Sequence, residues 1–336
     1  MLTVTLYTRK DCVPCDEARS DLAALQVAIP HRLVEVDVDS DPVLKAKYAD
    51  VVPAVEVGPY SLKAPFNRQK LKMTLGAADD RRDQLERIGG ESYERRVEGG
   101  KKLTGADRAS FWLSKHYLTA LNFFILLYVG LPFLAPTLMK AGAQIPAQVL
   151  YRVYSPLCHQ FGFRSFFLFG EQPYYPLAQA GLTDLRTFEE VTGMQGLDNP
   201  SSMSRFEARQ FVGNESVGYK VALCERDVAI YGALLLFGVV FGLTGRRMPP
   251  LHWVLWILIG ILPIGLDGFS QLFSQFNWPA LAALIPYRES TPLLRVLTGG
   301  LFGWTTAWYA YPYMEESMRE TREFFIKKSA IIQALD

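Results

Sequence analysis

LTVTLYTRKDCVPC, residues 2–15, is the stretch of sequence that decides the fold of the first part of the chain. Its first half, Leu2 to Tyr7, predicts a β-strand, and the residues after Cys15 predict a helix from Asp16 to Leu25. A helix N-terminus stabilises a thiolate, and a second cysteine one turn further on can close a disulfide with the first. The stretch therefore predicts a redox-active pair, in which Cys12 is the exposed nucleophile and Cys15 is the resolving thiol.

The segments that follow predict an alternation of strands and helices. A second strand is expected over residues 32–38, a helix over 41–48, a third strand over 51–57 and, after a hairpin, a helix over about 67–75. Together with the cysteine motif, this order resembles the short, glutaredoxin-like form of the thioredoxin superfamily. The resemblance implies an α/β thioredoxin-like domain over residues 1–78.

The resemblance also implies a site and a class of partner. In this family a cis-proline before the third strand lies beside the active disulfide, and Pro53 holds that position here. Glutaredoxins carry a Gly-Gly pair after the fourth strand that contributes to glutathione binding, where this chain has Tyr60 to Pro65. The implied partner is a thiol or disulfide protein or a low-molecular-weight thiol, with glutathione left open. The alternative is half of a zinc site, but this domain lacks a second ligand pair at zinc-finger spacing.

Composition indicates that a membrane domain follows. Of the 336 residues, 49% are hydrophobic and 13% aromatic, which is too apolar for two ordinary soluble domains, and the net charge of +1 gives no reason to expect a nucleic-acid partner. Residues 79–114 carry many charges of both signs and predict a charged linker. Four later stretches predict an all-α transmembrane domain: Tyr117 to Met139, Val228 to Leu243, Leu251 to Leu266, and Leu293 to about Tyr313.

Basic residues predict the orientation of these spans. Arg246 and Arg247 lie in the short turn between the second and third spans, and Lys115 precedes the first. Since lysine and arginine in short loops stay on the cytoplasmic side, we expect four crossings with both termini in the cytoplasm. Residues 147–170 are expected to be interfacial or re-entrant, and residues 314–336 to form an amphipathic tail along the inner membrane surface. The chain starts with a strand, so we expect no cleaved signal peptide.

Three blocks in the second part of the chain carry a further resemblance. They are residues 152–170 (RVYSPLCHQFGFRSFFLFG), 223–232 (LCERDVAIYG) and 263–271 (PIGLDGFSQ). They resemble the signature blocks of a bacterial family of integral membrane proteins known as domain of unknown function 2085, over roughly residues 115–313. The resemblance implies a multi-pass protein of the bacterial inner membrane and names no reaction. Many relatives have a short link between the first two blocks, so residues 171–222 are expected to form an external helical insert.

The polar residues of these blocks are predicted to meet at one membrane face. Ionisable residues at span ends are functional candidates, because they are costly to place in an apolar domain. The candidates are Cys158, His159, Gln160, Arg164, Cys224, Arg226, Asp267 and Gln271.

Three hypotheses for this second site stay open. Cys158 and Cys224 form a disulfide, either inert or exchanging electrons with a quinone or a partner thiol. Alternatively, Cys158, His159, Cys224 and Asp267 bind zinc or copper. In the third hypothesis, arginines such as Arg164 bind an anionic substrate. A structural explanation, in which both cysteines are small buried apolar residues, also stays open.

Two functions are therefore compared. In the first, the protein is a membrane-tethered thiol-disulfide oxidoreductase that uses Cys12 and Cys15. In the second, it is a metal-handling or small-solute transport or binding protein whose first domain senses redox state. A Cys12→Ser change separates them, since it abolishes all activity in the first case and only the redox response in the second.

Overall fold

The structure, a computed structural model, describes residues 1–100, 102–199, 202–275 and 287–334. Parts of the predicted linker, external insert, membrane domain and tail thus lie outside the described residues. The chain divides into two compact units, one formed by residues 1–117 with 316–336 and the other by residues 118–315.

The first unit contains a four-stranded sheet in the order β2-β1-β3-β4. Strand β1 pairs in parallel with β2 and antiparallel with β3, which in turn pairs antiparallel with β4. This is the predicted α/β thioredoxin-like arrangement. The elements are β1 (Leu2–Thr8), α1 (Val13–Leu25), β2 (His31–Asp37), α2 (Pro42–Tyr48), β3 (Ala54–Val57), β4 (Tyr60–Lys63) and α3 (Arg68–Gly100).

Alternation along β1 explains why both faces of this sheet are covered. Val4 and Leu6 are fully buried on one face, where they share a core with residues of α1 and α3 such as Leu22. Tyr7 points to the opposite face and shares a core with Tyr48 of α2. The sheet is therefore the middle layer of three.

The charged linker of the sequence prediction is largely helical. Helix α3 continues from the core to Gly100, with a break at Gly90, whose φ is 46°. A positive φ is readily adopted by glycine, so this position accommodates the break. The next helix, α4, begins at Gly105.

Among the described residues, three helices are long and apolar enough to cross a membrane. They are α4 (Gly105–Lys140), α8 (Glu225–Leu243) and α9 (Trp253–Ser274), and α9 includes a π-helical stretch over Trp256–Ile261. The fourth predicted span lies in the first half of α10 (Pro292–Gln333), which is not among them. The third span was predicted to end at Leu266, but α9 continues to Ser274, so Asp267 lies within the helix.

Between α4 and α8 the chain forms a small mixed subdomain. Helix α5 (Gln144–Tyr154) has 11 residues, about 16 Å of helix, which is too short to cross a hydrocarbon core. The elements are β5 (Ser165–Leu168), α6 (Phe188–Thr192), α7 (Met203–Gln210), β6 (Gly213–Asn214) and β7 (Gly218–Cys224). The expected external helical insert is therefore only partly helical, because it also contains strands. Strand β7 pairs with β5 on one side and with β6 on the other.

The end of α10 packs against the first unit's sheet. Ile326, Ala330 and Ile331 contact the core that contains Tyr48, and the Lys327 ammonium donates to Glu56 at 2.6 Å. In the structure this apolar side contacts a protein core, whereas a position along a membrane surface was expected. An amphipathic helix can bury its apolar side chains against a protein core or in a membrane surface. Its sequence pattern is the same in both cases.

Candidate functional site

Cys12 and Cys15 form a disulfide at the start of α1. Cys12 is the N-cap residue, and the Cys15 N–H donates to the Cys12 carbonyl oxygen at 2.9 Å. Cys15 is 1% exposed, whereas Cys12 is half-buried. A partner can therefore reach Cys12 first, and Cys15 is placed to resolve a bond made there.

Pro53 lies at the same end of the sheet as the disulfide. The Val52–Pro53 peptide is cis, the conformation that the family resemblance implies, and Pro53 is buried. Ala54 pairs with Tyr7 near the end of β1, from which the chain runs directly into the cysteine motif. Pro53 is therefore next to the strand end that leads to Cys12.

Two stacked tyrosines and a carboxylate lie behind this end of the sheet. The rings of Tyr7 and Tyr48 are 4.1 Å apart between centroids, and both hydroxyls donate to Glu56. Burial, reinforced by nearby charge, raises the pKa of both hydroxyls above the usual range. Burial alone would raise the pKa of Glu56, but its ion pair with Lys327 holds that pKa below the usual value. The two tyrosines and Glu56 together therefore carry one negative charge, which Lys327 of α10 offsets.

The second unit has a pocket where three predicted blocks meet. It has a volume of about 300 Å³. Six of its lining residues carry the chemistry of the site: Cys158, His159, Arg164, Cys224, Arg226 and Asp227. Gln160, Gln271 and Arg295 also line it, so every predicted residue of this site except Asp267 borders the pocket.

The two cysteines of the pocket are free thiols that interact with each other. The hydrogen bond from Cys224 lowers the pKa of Cys158 despite burial, and the same bond together with burial raises the pKa of Cys224. The Gln160 N–H also donates to the Cys158 sulfur at 3.5 Å. Gln160 adopts a φ of 53°, a conformation that non-glycine residues adopt rarely and that clusters at functional sites. Cys158 is therefore the thiol more readily ionised.

Three side chains here could together hold a metal ion, but they are not the four that were predicted. The ligand atoms of Cys158, Cys224 and Asp227 all lie within 4.8 Å of one another. His159 lines the pocket, but its ring stacks on Phe161 and is outside that group. Asp267, which was predicted as a ligand, lies outside that group, and its carboxylate pairs with Arg226 and Arg288.

Asp267 is held by three side chains. Arg226 of α8 forms an ion pair with it, Arg288 donates to its other oxygen at 2.8 Å, and the Ser290 hydroxyl donates at 2.8 Å. The start of α8 and the last third of α9 are thereby joined. Residues of the second and third blocks are therefore in direct contact.

A second buried carboxylate, Glu289, was missed by the sequence analysis. Arg164 donates to it through two bonds of 2.7 and 2.9 Å, and Gln271 donates to it at 3.1 Å. Arg295 of α10 pairs with Glu289 and also donates to Glu225 at 3.1 Å. The sequence feature that could have indicated Glu289 is the polar triplet of residues 288–290, which lies directly before an apolar helix.

Comparisons with known proteins agree with this division of the chain. Residues 3–76 match the family of glutaredoxin-like domains called DUF836, and residues 212–309 match the predicted membrane protein family DUF2085. The chain thus joins a glutaredoxin-like domain to a membrane domain of that family. A protein of Methanocaldococcus jannaschii described as uncharacterized is 25% identical over 212 residues, which cover 61% of this chain and 96% of the relative. No solved structure matches.

Proposed function

We propose that this protein is a membrane-tethered thiol-disulfide oxidoreductase. The observation that carries the proposal is the Cys12–Cys15 pair at the start of α1 of a glutaredoxin-like domain, with one thiol accessible and the other buried. In the reduced state, the Cys12 thiolate attacks one sulfur of a partner disulfide, forms a mixed disulfide and releases the first partner thiol. Cys15 then attacks the Cys12 sulfur and releases the second partner thiol. Two electrons pass to the partner, and the Cys12–Cys15 disulfide is formed.

The site favours a protein or small-thiol partner of this kind. Only Cys12 is open to attack, so a mixed disulfide forms at one defined sulfur. A low-molecular-weight thiol or a thiol protein then reduces the pair and completes the cycle. We propose the plasma membrane as the location, with the domain on the cytoplasmic side, because Arg246 and Arg247 lie between α8 and α9 and basic short loops stay inside.

The test is disulfide exchange by the purified full-length protein in detergent, with a disulfide-bonded peptide as substrate. Cys12→Ser is expected to abolish exchange, and Cys15→Ser to accumulate a mixed disulfide with the peptide that is visible by mass. Cys158→Ser is the matched control, since it removes a thiol from the other unit and should leave the exchange rate unchanged. Exchange that survives Cys12→Ser would contradict the proposal.

A further inference from the structure

We propose that Cys158, Cys224 and Asp227 hold a divalent, zinc-class cation in the pocket of the second unit. This site is separate from the Cys12–Cys15 pair and does not depend on the redox activity proposed for it.

The spacing of the three ligand atoms fits a metal ion. They lie within 4.8 Å of one another. Two sulfurs bound at about 2.3 Å to one tetrahedral zinc are roughly 3.8 Å apart, so small side-chain rotations bring these atoms to bonding positions. Thiolate with carboxylate is also a ligand set that zinc accepts, whereas magnesium and calcium prefer oxygen alone.

Backbone structure holds the ligands on two sides of the site. Cys224 is the N-cap residue of α8 and Asp227 is the third helical position, so both side chains face the helix start. Cys158 comes from the turn after α5, where the unusual backbone of Gln160 directs an N–H to its sulfur. Gln160 is fixed in turn by bonds of 3.0 Å from its amide to the carbonyl oxygens of Tyr151 and Ala222. The ligands therefore come from preformed turns.

Charge in the surrounding network also favours a cation. Each of the four neighbouring arginines is already paired with a carboxylate other than Asp227. A divalent cation would offset the charge of ionised thiols and of Asp227, which lowers the penalty of burying that charge. Within the described part of the chain, the Asp227 carboxylate makes no ion pair that would compete. The paired groups are Arg164, Arg226, Arg288 and Arg295 with Glu225, Asp267 and Glu289.

The fourth side of the site opens to the pocket. Three protein ligands with one open position are typical of zinc sites that bind water or a substrate. Arg226 lines this side, and its buried Nε has no hydrogen-bond partner in the described residues. The open position would therefore accept a small anionic ligand, with the arginine as a hydrogen-bond donor to it.

The experiment measures metal content and cobalt spectra of the full-length protein, purified in detergent under reducing conditions. A Cys12→Ser/Cys15→Ser background prevents binding at the other cysteine pair. We expect one zinc per chain, and a thiolate-to-cobalt charge-transfer band after substitution with Co²⁺. Cys158→Ser should remove the band, and Asp227→Asn should weaken Co²⁺ binding at least about tenfold. Asp184→Asn, at an exposed position, is the matched control and should bind Co²⁺ normally.

A second measurement avoids the risk that a variant misfolds. In the same background with its native pocket, bound Zn²⁺ should protect both remaining thiols from alkylation, and a chelator should restore their reactivity. Absence of zinc and of cobalt binding in that background would overturn the proposal. So would equal Co²⁺ affinity of the Asp227→Asn and Asp184→Asn variants, or a mass two daltons low that shows a Cys158–Cys224 disulfide under reducing conditions. None of these results bears on disulfide exchange by Cys12.

Discussion

Replacing Arg295 with methionine should destabilise the second unit more than removal of any exposed charge. The Arg295 side chain is 3% exposed and pairs with Glu225 and Glu289, whose side chains are 0% and 1% exposed. Methionine leaves both carboxylates buried without this cation. Breaking a buried pair from one side costs about 3–5 kcal/mol, because the remaining charge is uncompensated.

Thermal unfolding of the full-length protein in detergent, followed by tryptophan fluorescence, measures this loss. For a unit of this size, the Tm should fall by roughly 6–20 °C. The matched control is Arg186→Met in the same unit, which removes an ion pair whose side chains are 52% and 59% exposed. Such exposed pairs contribute at most about 1 kcal/mol, so the control should shift the Tm by no more than roughly 4 °C.

A double variant separates loss of charge from loss of packing. Adding Glu225→Gln to Arg295→Met removes the carboxylate that has lost its cation while keeping its size. Part of the lost Tm should return, because Glu289 keeps its ion pair with Arg164. If Arg295→Met lowers the Tm no more than Arg186→Met does, the interpretation of this network as buried and charged is refuted.

Three further predictions follow from packing and burial. Gly303→Ala should destabilise the protein by about 1–3 kcal/mol, because an added Cβ would overlap the backbone of α8. Gly300→Ala should not destabilise it, because the space around Gly300 is open. Thermal unfolding of the two variants compares them directly. Burial lowers the pKa of Lys220 to about 7, so the unfolded chain binds more protons above that pH, and stability should rise by about 2 kcal/mol from pH 7 to pH 9. In denaturant unfolding, the Lys220→Met variant should not show this rise in stability. A rise equal to that of the unmodified protein would contradict the prediction. Ile326→Asp should accelerate tryptic cleavage of the end of α10, and Phe324→Asp, at a 59% exposed position, should not.

The first domain could be predicted from sequence because its signals are local. The alternation of Leu2 to Tyr7, the CVPC motif and the proline before the third strand each act within a few residues. The attachment of α10 could not be predicted in this way. Lys327 and Glu56 are 271 positions apart, and the choice between a membrane surface and this carboxylate is made only when the chain is folded.

The sequence indicated most residues that line the pocket of the second unit, but not which carboxylate lies beside its two thiols. Polar blocks in an apolar domain identified Cys158 and Cys224, because such residues need partners. From the sequence alone, Asp267 and Asp227 are equivalent candidates for the carboxylate beside the thiols. Arg288, 21 positions from Asp267, occupies that carboxylate, and only the packing of α8 against α9 shows that Asp227 is the one left beside the thiols.

The attachment of α10 to the first domain constrains how often the chain crosses the bilayer. Because the two ends of the chain pack together, we expect both on one side of a membrane, which requires an even number of crossings between them. The described residues supply three helices that qualify as spans by length and hydropathy, which is an odd number. Helix α10 has 42 residues, about 63 Å, so it can cross some 30 Å of hydrocarbon and still extend to the domain that it contacts. We therefore expect a fourth crossing in the apolar start of α10.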